Sequence, residues 1–130
     1  MVLDTSAMMA VLSGEPQADR LIEAMDADGT RLVSAATVVE MSLVIPGRFG
    51  EAGEPLLDRF LRGIGAEVVP VGEDQVVIAR DAALRFGRGR HAAALNFGDC
   101  FSYALAVTRE EPLLFVGDDF SRTDVAVCPW

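Results

Sequence analysis

Four stretches place carboxylates beside groups that could work with them: Asp4 next to the hydroxyls of Thr5 and Ser6, Glu40 alone in the apolar run Val38-Val39-Glu40-Met41, Asp99 reached through Asn96-Phe97-Gly98, and the pair Asp118-Asp119. Uncompensated carboxylates a few ångströms apart repel and raise one another's pKa, so a cluster of them calls for a cation. Hard divalent ions with oxygen ligands, Mg²⁺ or Mn²⁺, suit such donors, and the lack of a nearby Cys/His set argues against zinc. Two such ions roughly 4 Å apart activate a water, neutralise a phosphodiester and stabilise the leaving oxygen without a nucleophilic side chain. Thr5, Ser6 and Asn96 would then orient a metal-bound water or a phosphate oxygen. The competing reading is structural. Asp, Thr and Ser cap helices through their side-chain oxygens, which covers Asp4, Thr5, Ser6 and Asp99, and Asp118-Asp119 suits an ordinary turn before Phe120. Glu40, flanked by apolar residues, is harder to explain that way.

The elements that must position these acids follow from apolar periodicity. Val2-Leu3 predicts a strand that ends at Asp4, where a helix to Leu12 begins. Gly14-Glu15-Pro16 is a break; Leu21, Ile22 and Met25 then recur at helical spacing until Asp28-Gly29. Arg31 to Ala35 reads as a second strand. Thr37 to Ile45 reads as a helix carrying Glu40 in its first turns, with Pro46-Gly47 as its stop. Gly50 to Gly53 reads as a loop, Glu54 to Ile64 as an amphipathic helix, and Glu67 to Val71 as a strand in which Pro70 favours an edge. Glu73 to Phe86 is predicted helical, Gly87 to His91 a flexible basic loop, and Cys100 to Arg109 a helix entered through Asn96 to Asp99. Pro112 to Gly117 is the clearest buried strand. Alternating strands and helices predict an α/β sandwich with a mostly parallel sheet and right-handed crossovers. Asp4, Asp99 and Asp118 or Asp119 would then meet at the carboxyl ends of the strands, where open sheets bind ligands.

At 130 residues the chain is the size of one domain, residues 1–130, and its apolar fraction of 51% suits a compact soluble protein. There is no leader-like or membrane-spanning apolar run, so the expected compartment is the cytoplasm. Cys100 and Cys128 fit no disulfide framework and read as reduced thiols. The net charge of −9 argues against non-specific binding to a polyanion. One basic patch survives, because Arg80, Arg85, Arg88, Arg90 and His91 face a single acid, Asp81. Arg88 and Arg90 would fork onto phosphate oxygens; a solvated loop is the alternative. Met8, Met9, Val11, Leu12, Val44, Ile45, Phe49 and Phe60 exceed what one small core easily hides, and the surplus suggests a surface for a partner, with ordinary core as the rival account.

Taken in order, Val2-Leu3-Asp4-Thr5-Ser6-Ala7, Glu40 in its apolar helix, Asn96-Phe97-Gly98-Asp99-Cys100-Phe101-Ser102-Tyr103-Ala104, and Pro112-Leu113-Leu114-Phe115-Val116-Gly117-Asp118-Asp119-Phe120 resemble the PIN-domain nucleases, and among them the VapC-type toxins of bacterial toxin–antitoxin pairs. The likeness spans essentially the whole chain. It implies a three-layer α/β/α PIN-like sandwich and an Mg²⁺- or Mn²⁺-dependent ribonuclease. It also implies a homodimer inhibited by a small cognate antitoxin whose tail enters the acidic groove. By position, Asp4 and Asp99 match the family's principal metal ligands and Glu40 its third acid. Many relatives carry Thr-x-Asp after the last core strand, where this chain has Phe115-Val116-Gly117, so the fourth acid falls to Asp118 or Asp119.

Two other classes fit an acid cluster. A receiver-like or other acidic binding module would hold Mg²⁺ without cleaving RNA, but a receiver needs a lysine near its acids and this chain has none. A phosphatase of the Asp-x-Asp type would need an aspartate where Ser6 stands.

Overall fold

The computed structural model describes residues 1–130. Four parallel strands, β1 (Val2–Leu3), β2 (Leu32–Ser34), β3 (Glu67–Val69) and β4 (Leu113–Leu114), lie in the order β3-β2-β1-β4. Val2 pairs with Leu32 on one side and Leu113 on the other, while Leu32 pairs with Glu67. The sheet is thus wholly parallel. Its edge strand β3 carries Pro70 just past its end, where proline's missing N–H costs no ladder bond.

Strand alternation sorts the core into two layers. Val2, Leu32, Val69 and Leu113 face α6 (Glu73–Phe86) and α7 (Phe97–Arg109), and together they bury Phe86, Tyr103, Leu105 and Phe120. Met1, Leu3, Val33 and Leu114 face the other way, onto Met8 of α1 (Thr5–Leu12), Leu21 and Met25 of α2 (Ala18–Ala27), Met41 of α3 (Ala35–Val44) and Leu57 of α5 (Gly53–Gly63). This is the three-layer α/β/α arrangement. The seven strand residues among these, and Met1 just before β1, are each at most 4% exposed, as expected of a sheet covered on both faces.

The chain moves from β1 to β2 to β3 in one direction and then crosses back to lay β4 on the far side of β1. The strand order therefore reverses between β1 and β4, which is where such sheets open a crevice. Asp4 stands at that point, and its N–H donates to the Leu114 carbonyl at 3.0 Å.

Several boundaries differ from the sequence reading. Pro46-Gly47 ends α3 but does not end helical structure: Pro46 opens the short helix α4 (Pro46–Phe49), and Gly50–Ala52 forms a 3-10 turn instead of a loop. Proline at a first helical position loses no bond it would have made. Helix α2 starts at Ala18, after Pro16, and α7 starts three residues earlier than expected because Asn96 caps it. The apolar surplus also resolves differently. Met8 and Ile45 are core, and Met9, Val11, Leu12, Phe49 and Phe60 pack partly buried against it. The apolar side chains left in solvent are mostly others: Phe97 at 82%, Leu43 at 78%, Val77 at 65%, Leu84 at 64% and Val39 at 61%. No helix is long and apolar enough to cross a membrane.

Candidate active site

Asp4 follows a two-residue strand and immediately caps α1: its Oδ2 accepts the Ser6 N–H at 2.9 Å and the Ser6 hydroxyl at 2.6 Å. Capping and chemistry are not exclusive here. Oδ2 is consumed by the cap, whereas Oδ1 is buried with no hydrogen-bond partner, on a residue only 2% exposed. A carboxylate oxygen shut from water and left without a donor is costly in a protein interior. Ser6 is also tied to the sheet, since its hydroxyl accepts from the Val116 N–H at 3.0 Å. The seryl oxygen thus locks the Asp4 rotamer to the end of β4.

Glu40 sits half-buried on the second turn of α3, where its Oε2 accepts the Thr5 hydroxyl at 2.5 Å. Its carboxylate also lies flat against Gly98 on the first turn of α7. A Cβ built on Gly98 would overlap both carboxylate oxygens, so glycine is what leaves room for the Glu40 carboxylate in this position. Three residues from each acid, Thr37 and Ser102 face one another as a fully buried hydroxyl pair at 3.2 Å. That contact joins α3 to α7 one turn from Glu40 and Asp99.

Asp99 is the third residue of α7 and part of a reciprocal cap. The Asn96 side-chain oxygen accepts the Asp99 N–H at 3.0 Å, and Asp99 Oδ2 accepts the Asn96 N–H at 2.7 Å. Despite that donor, Asp99 is pushed up to about 6. Burial is the main cause, and the negative charges of Asp4, Glu40 and Asp119 add to it. The four acids therefore lie within electrostatic reach of one another. Asp118 and Asp119 are both exposed beyond Gly117, and the charge of Asp119 is among those that raise Asp99.

The acids converge without closing. No three acidic, histidine or cysteine side chains are gathered into a ready-made ligand shell. The two observations agree, because charge repulsion acts over longer distances than a coordination bond, and repelling carboxylates have reason to stay apart until a cation arrives. The donors present still suit a hard divalent ion: an orphaned, buried Asp4 oxygen beside an Asp99 that resists ionisation, with no sulfur or imidazole among them.

The remaining sequence candidates divide. Thr5 and Ser6 hold the acids by hydrogen bonds, and Asn96 holds Asp99. Arg88 and Arg90 are exposed on a compact turn, where Arg88 N–H donates to the Leu95 carbonyl and Gly87 bridges to Leu95. Arg88 borders a groove that begins at Asn96 and Phe97. Sequence reasoning missed Gly98, Thr37 and Ser102. Gly98 had a signal, as a glycine inside the first turn of a helix and adjacent to an acid; the hydroxyl pair had none, since its members lie 65 residues apart.

The sequence matches the PIN domain family over residues 1–126. It is 51% identical over 126 residues to ribonuclease VapC30 of Mycobacterium tuberculosis, an alignment covering 97% of this chain and 96% of that protein. Among solved structures it is similar to Mycobacterium tuberculosis VapC20, described as a sarcin-ricin loop cleaving toxin, with a TM-score of 0.78, 17% identity and 98% of each chain covered. It is also similar to the VapBC2 structure from Rickettsia felis bound to a DNA fragment from their promoter, with a TM-score of 0.72, 16% identity, and 97% of this chain and 94% of that one covered. At those identities the two structures speak to fold alone, and they set aside a receiver-like sheet. With Asp4 at the strand-order reversal and half its residues shared with VapC30, the chain belongs to the PIN-domain family and, within it, to the VapC group.

Proposed function

We propose that this protein is an Mg²⁺- or Mn²⁺-dependent endoribonuclease and the toxin of a toxin–antitoxin pair. The observation that carries the reading is the uncompensated acid cluster at the β1/β4 crevice, in which Asp4 keeps one oxygen orphaned and Asp99 is pushed up to about 6, by burial first and by its acidic neighbours' charge in addition. Similarity at half the positions to a protein named a ribonuclease supports the reaction class.

In this scheme Asp4, Asp99 and Glu40 would hold the cation, with Asp119, whose charge reaches Asp99, or Asp118 beside it as the further acid. A divalent ion in such a site acidifies a bound water and offsets charge on the phosphodiester. The protein's own groups prepare for this. Ser6 fixes Asp4 so that Oδ1 stays free, Thr5 holds the Glu40 carboxylate against Gly98, and the Asn96 backbone N–H leaves one Asp99 oxygen uncommitted. Arg88 and Arg90, on the turn that leads into Asn96, meet the phosphates of the strand.

A small cognate antitoxin that covers the acidic crevice, a homodimeric assembly and a cytoplasmic location complete the proposal. The exposed Val39 and Leu43, on the helix that carries Glu40, offer apolar surface beside that crevice. Incubating the protein with end-labelled RNA and Mg²⁺ or Mn²⁺ tests the activity. Cleavage that disappears with EDTA and returns with added metal is expected; cleavage indifferent to EDTA, or none at any metal concentration, overturns the reading.

A further inference from the structure

A groove beside the acid cluster has no role in the scheme so far. It lies between α6 and the start of α7, has a volume of about 580 Å³, and is lined by Val76, Ala79, Leu95, Phe97 and Phe101 with the guanidinium-bearing Arg80 and Arg88. That volume falls in the ~300–1,000 Å³ range of sites that receive small ring systems. Phe97 lines it with 82% of its surface in solvent and meets Phe101 in an edge-to-face contact with ring centroids 5.0 Å apart, so that most of its ring is open. Asn96 lines the same groove and is hydrogen-bonded to Asp99, so this residue borders both the groove and the acid cluster.

Resting on the ribonuclease reading above, we propose that this groove receives an unpaired nucleobase of the RNA strand next to the scissile phosphate, stacked on Phe97, with the adjoining backbone phosphate on Arg88 and Arg80. Charge selects this occupant. The protein carries −9 overall, yet the groove is bordered by two guanidinium groups of its one basic stretch, which suits a ligand that is aromatic and anionic at once. Stacking on an exposed aromatic together with arginine contacts to phosphate is a general means of holding single-stranded nucleic acid. The groove therefore selects unpaired RNA, such as a loop, over duplex RNA. Phe97 is a positioning residue two places before Asp99 in the chain and sets which phosphate reaches the acids.

The test uses the full chain and single-stranded RNA oligonucleotides, with binding followed by fluorescence anisotropy and cleavage followed in parallel. Phe97→Ala is expected to weaken binding and raise KM by about tenfold to a hundredfold, more than it lowers kcat, while Phe97→Trp restores both. An abasic nucleotide at one position beside the cleaved bond reproduces the loss, and combining it with Phe97→Ala adds little. Arg88→Ala weakens binding of all sequences and flattens the salt dependence. Cleavage by the wild-type chain with KM unchanged in Phe97→Ala overturns the groove assignment and leaves the ribonuclease reading standing. Binding that depends on Phe97 without any cleavage does the reverse. A Phe97→Ala protein that changes its oligomeric mass in light scattering, or that loses antitoxin binding with RNA binding intact, assigns the groove to a protein partner and overturns the proposal.

Discussion

Two carboxylate clusters flank α7, and they are built on opposite plans. At its start, Asp99 is surrounded by Asp4, Glu40 and Asp119 with no cation among them, and it is pushed up to about 6. Further along, Asp124 takes the Tyr103 hydroxyl and the Arg85 guanidinium, each at 2.5 Å, and is held below its usual value by those two groups. Arg85 also reaches Asp81 one turn back and lies over the Phe86 ring. Burial and the Asp124 carboxylate push the Tyr103 phenol up to about 12. One cluster is supplied with its counter-charges and closes the C-terminal segment onto α6 and α7. The other lacks them at the mouth of the crevice. The Asp124 cluster stabilises its own charges within the chain, whereas the Asp99 cluster leaves repulsion standing, the kind of arrangement that marks candidate functional sites.

Substitutions at the two clusters should behave as differently as their surroundings. The largest effect is expected for Asp4→Asn, which keeps an oxygen to cap α1 but removes the charge: RNA cleavage falls by about a hundredfold or more while the melting temperature holds. Full activity in that variant removes Asp4 from the chemistry. Gly98→Ala comes next. Its methyl group must push the Glu40 carboxylate away from Thr5, and because the tip of a flexible side chain yields, cleavage should drop about tenfold in a protein that still folds. Equal activity would show that the position of Glu40 is immaterial.

The third test concerns pH. The folded value of Asp99, about 6, lies above its ordinary 3.8, so the folded state binds more protons between those values. Stability of the metal-free protein therefore falls as pH rises through that window and recovers as pH is lowered. Asp99→Asn removes the penalty. After discounting for its partial exposure, it should gain about 1 kcal/mol in urea unfolding at pH 7, a gain that fades near pH 4. Asp124 works the other way, since a depressed carboxylate stabilises at neutral pH and loses that contribution in acid. The smallest effect is expected for Tyr103→Phe: about 1 kcal/mol lost in the same unfolding assay, with cleavage unchanged. A loss of cleavage there would erase the functional distinction between the clusters.

Much of this was legible in the residues themselves. The run of Val2 and Leu3 into Asp4, the continuous apolar stretch before Gly117 and the proline beside β3 predict parallel strands with acids at their ends, because burial on both faces and missing N–H groups leave marks in local sequence. The stop at Pro46 misled, since the same ring that ends one helix suits the first turn of the next. Apolar content alone did not separate core from surface. Hydrophobicity says that a side chain prefers burial and not whether a neighbour covers it, so Met8 and Ile45 proved to be core while Phe97 and Leu43 stand in solvent.

Sequence by itself determined which acids exist, which elements carry them and that no lysine or arginine adjoins Asp4 or Asp99 in the chain. Tertiary structure alone decided how they meet. The contact of Glu40 with Gly98, the buried hydroxyls of Thr37 and Ser102 and the reach of Asp119's charge to Asp99 join residues far apart in the chain or turn on the path of a loop. Local preferences act over one or two turns of backbone, whereas repulsion and close packing depend on distances that exist only once β4 lies beside β1.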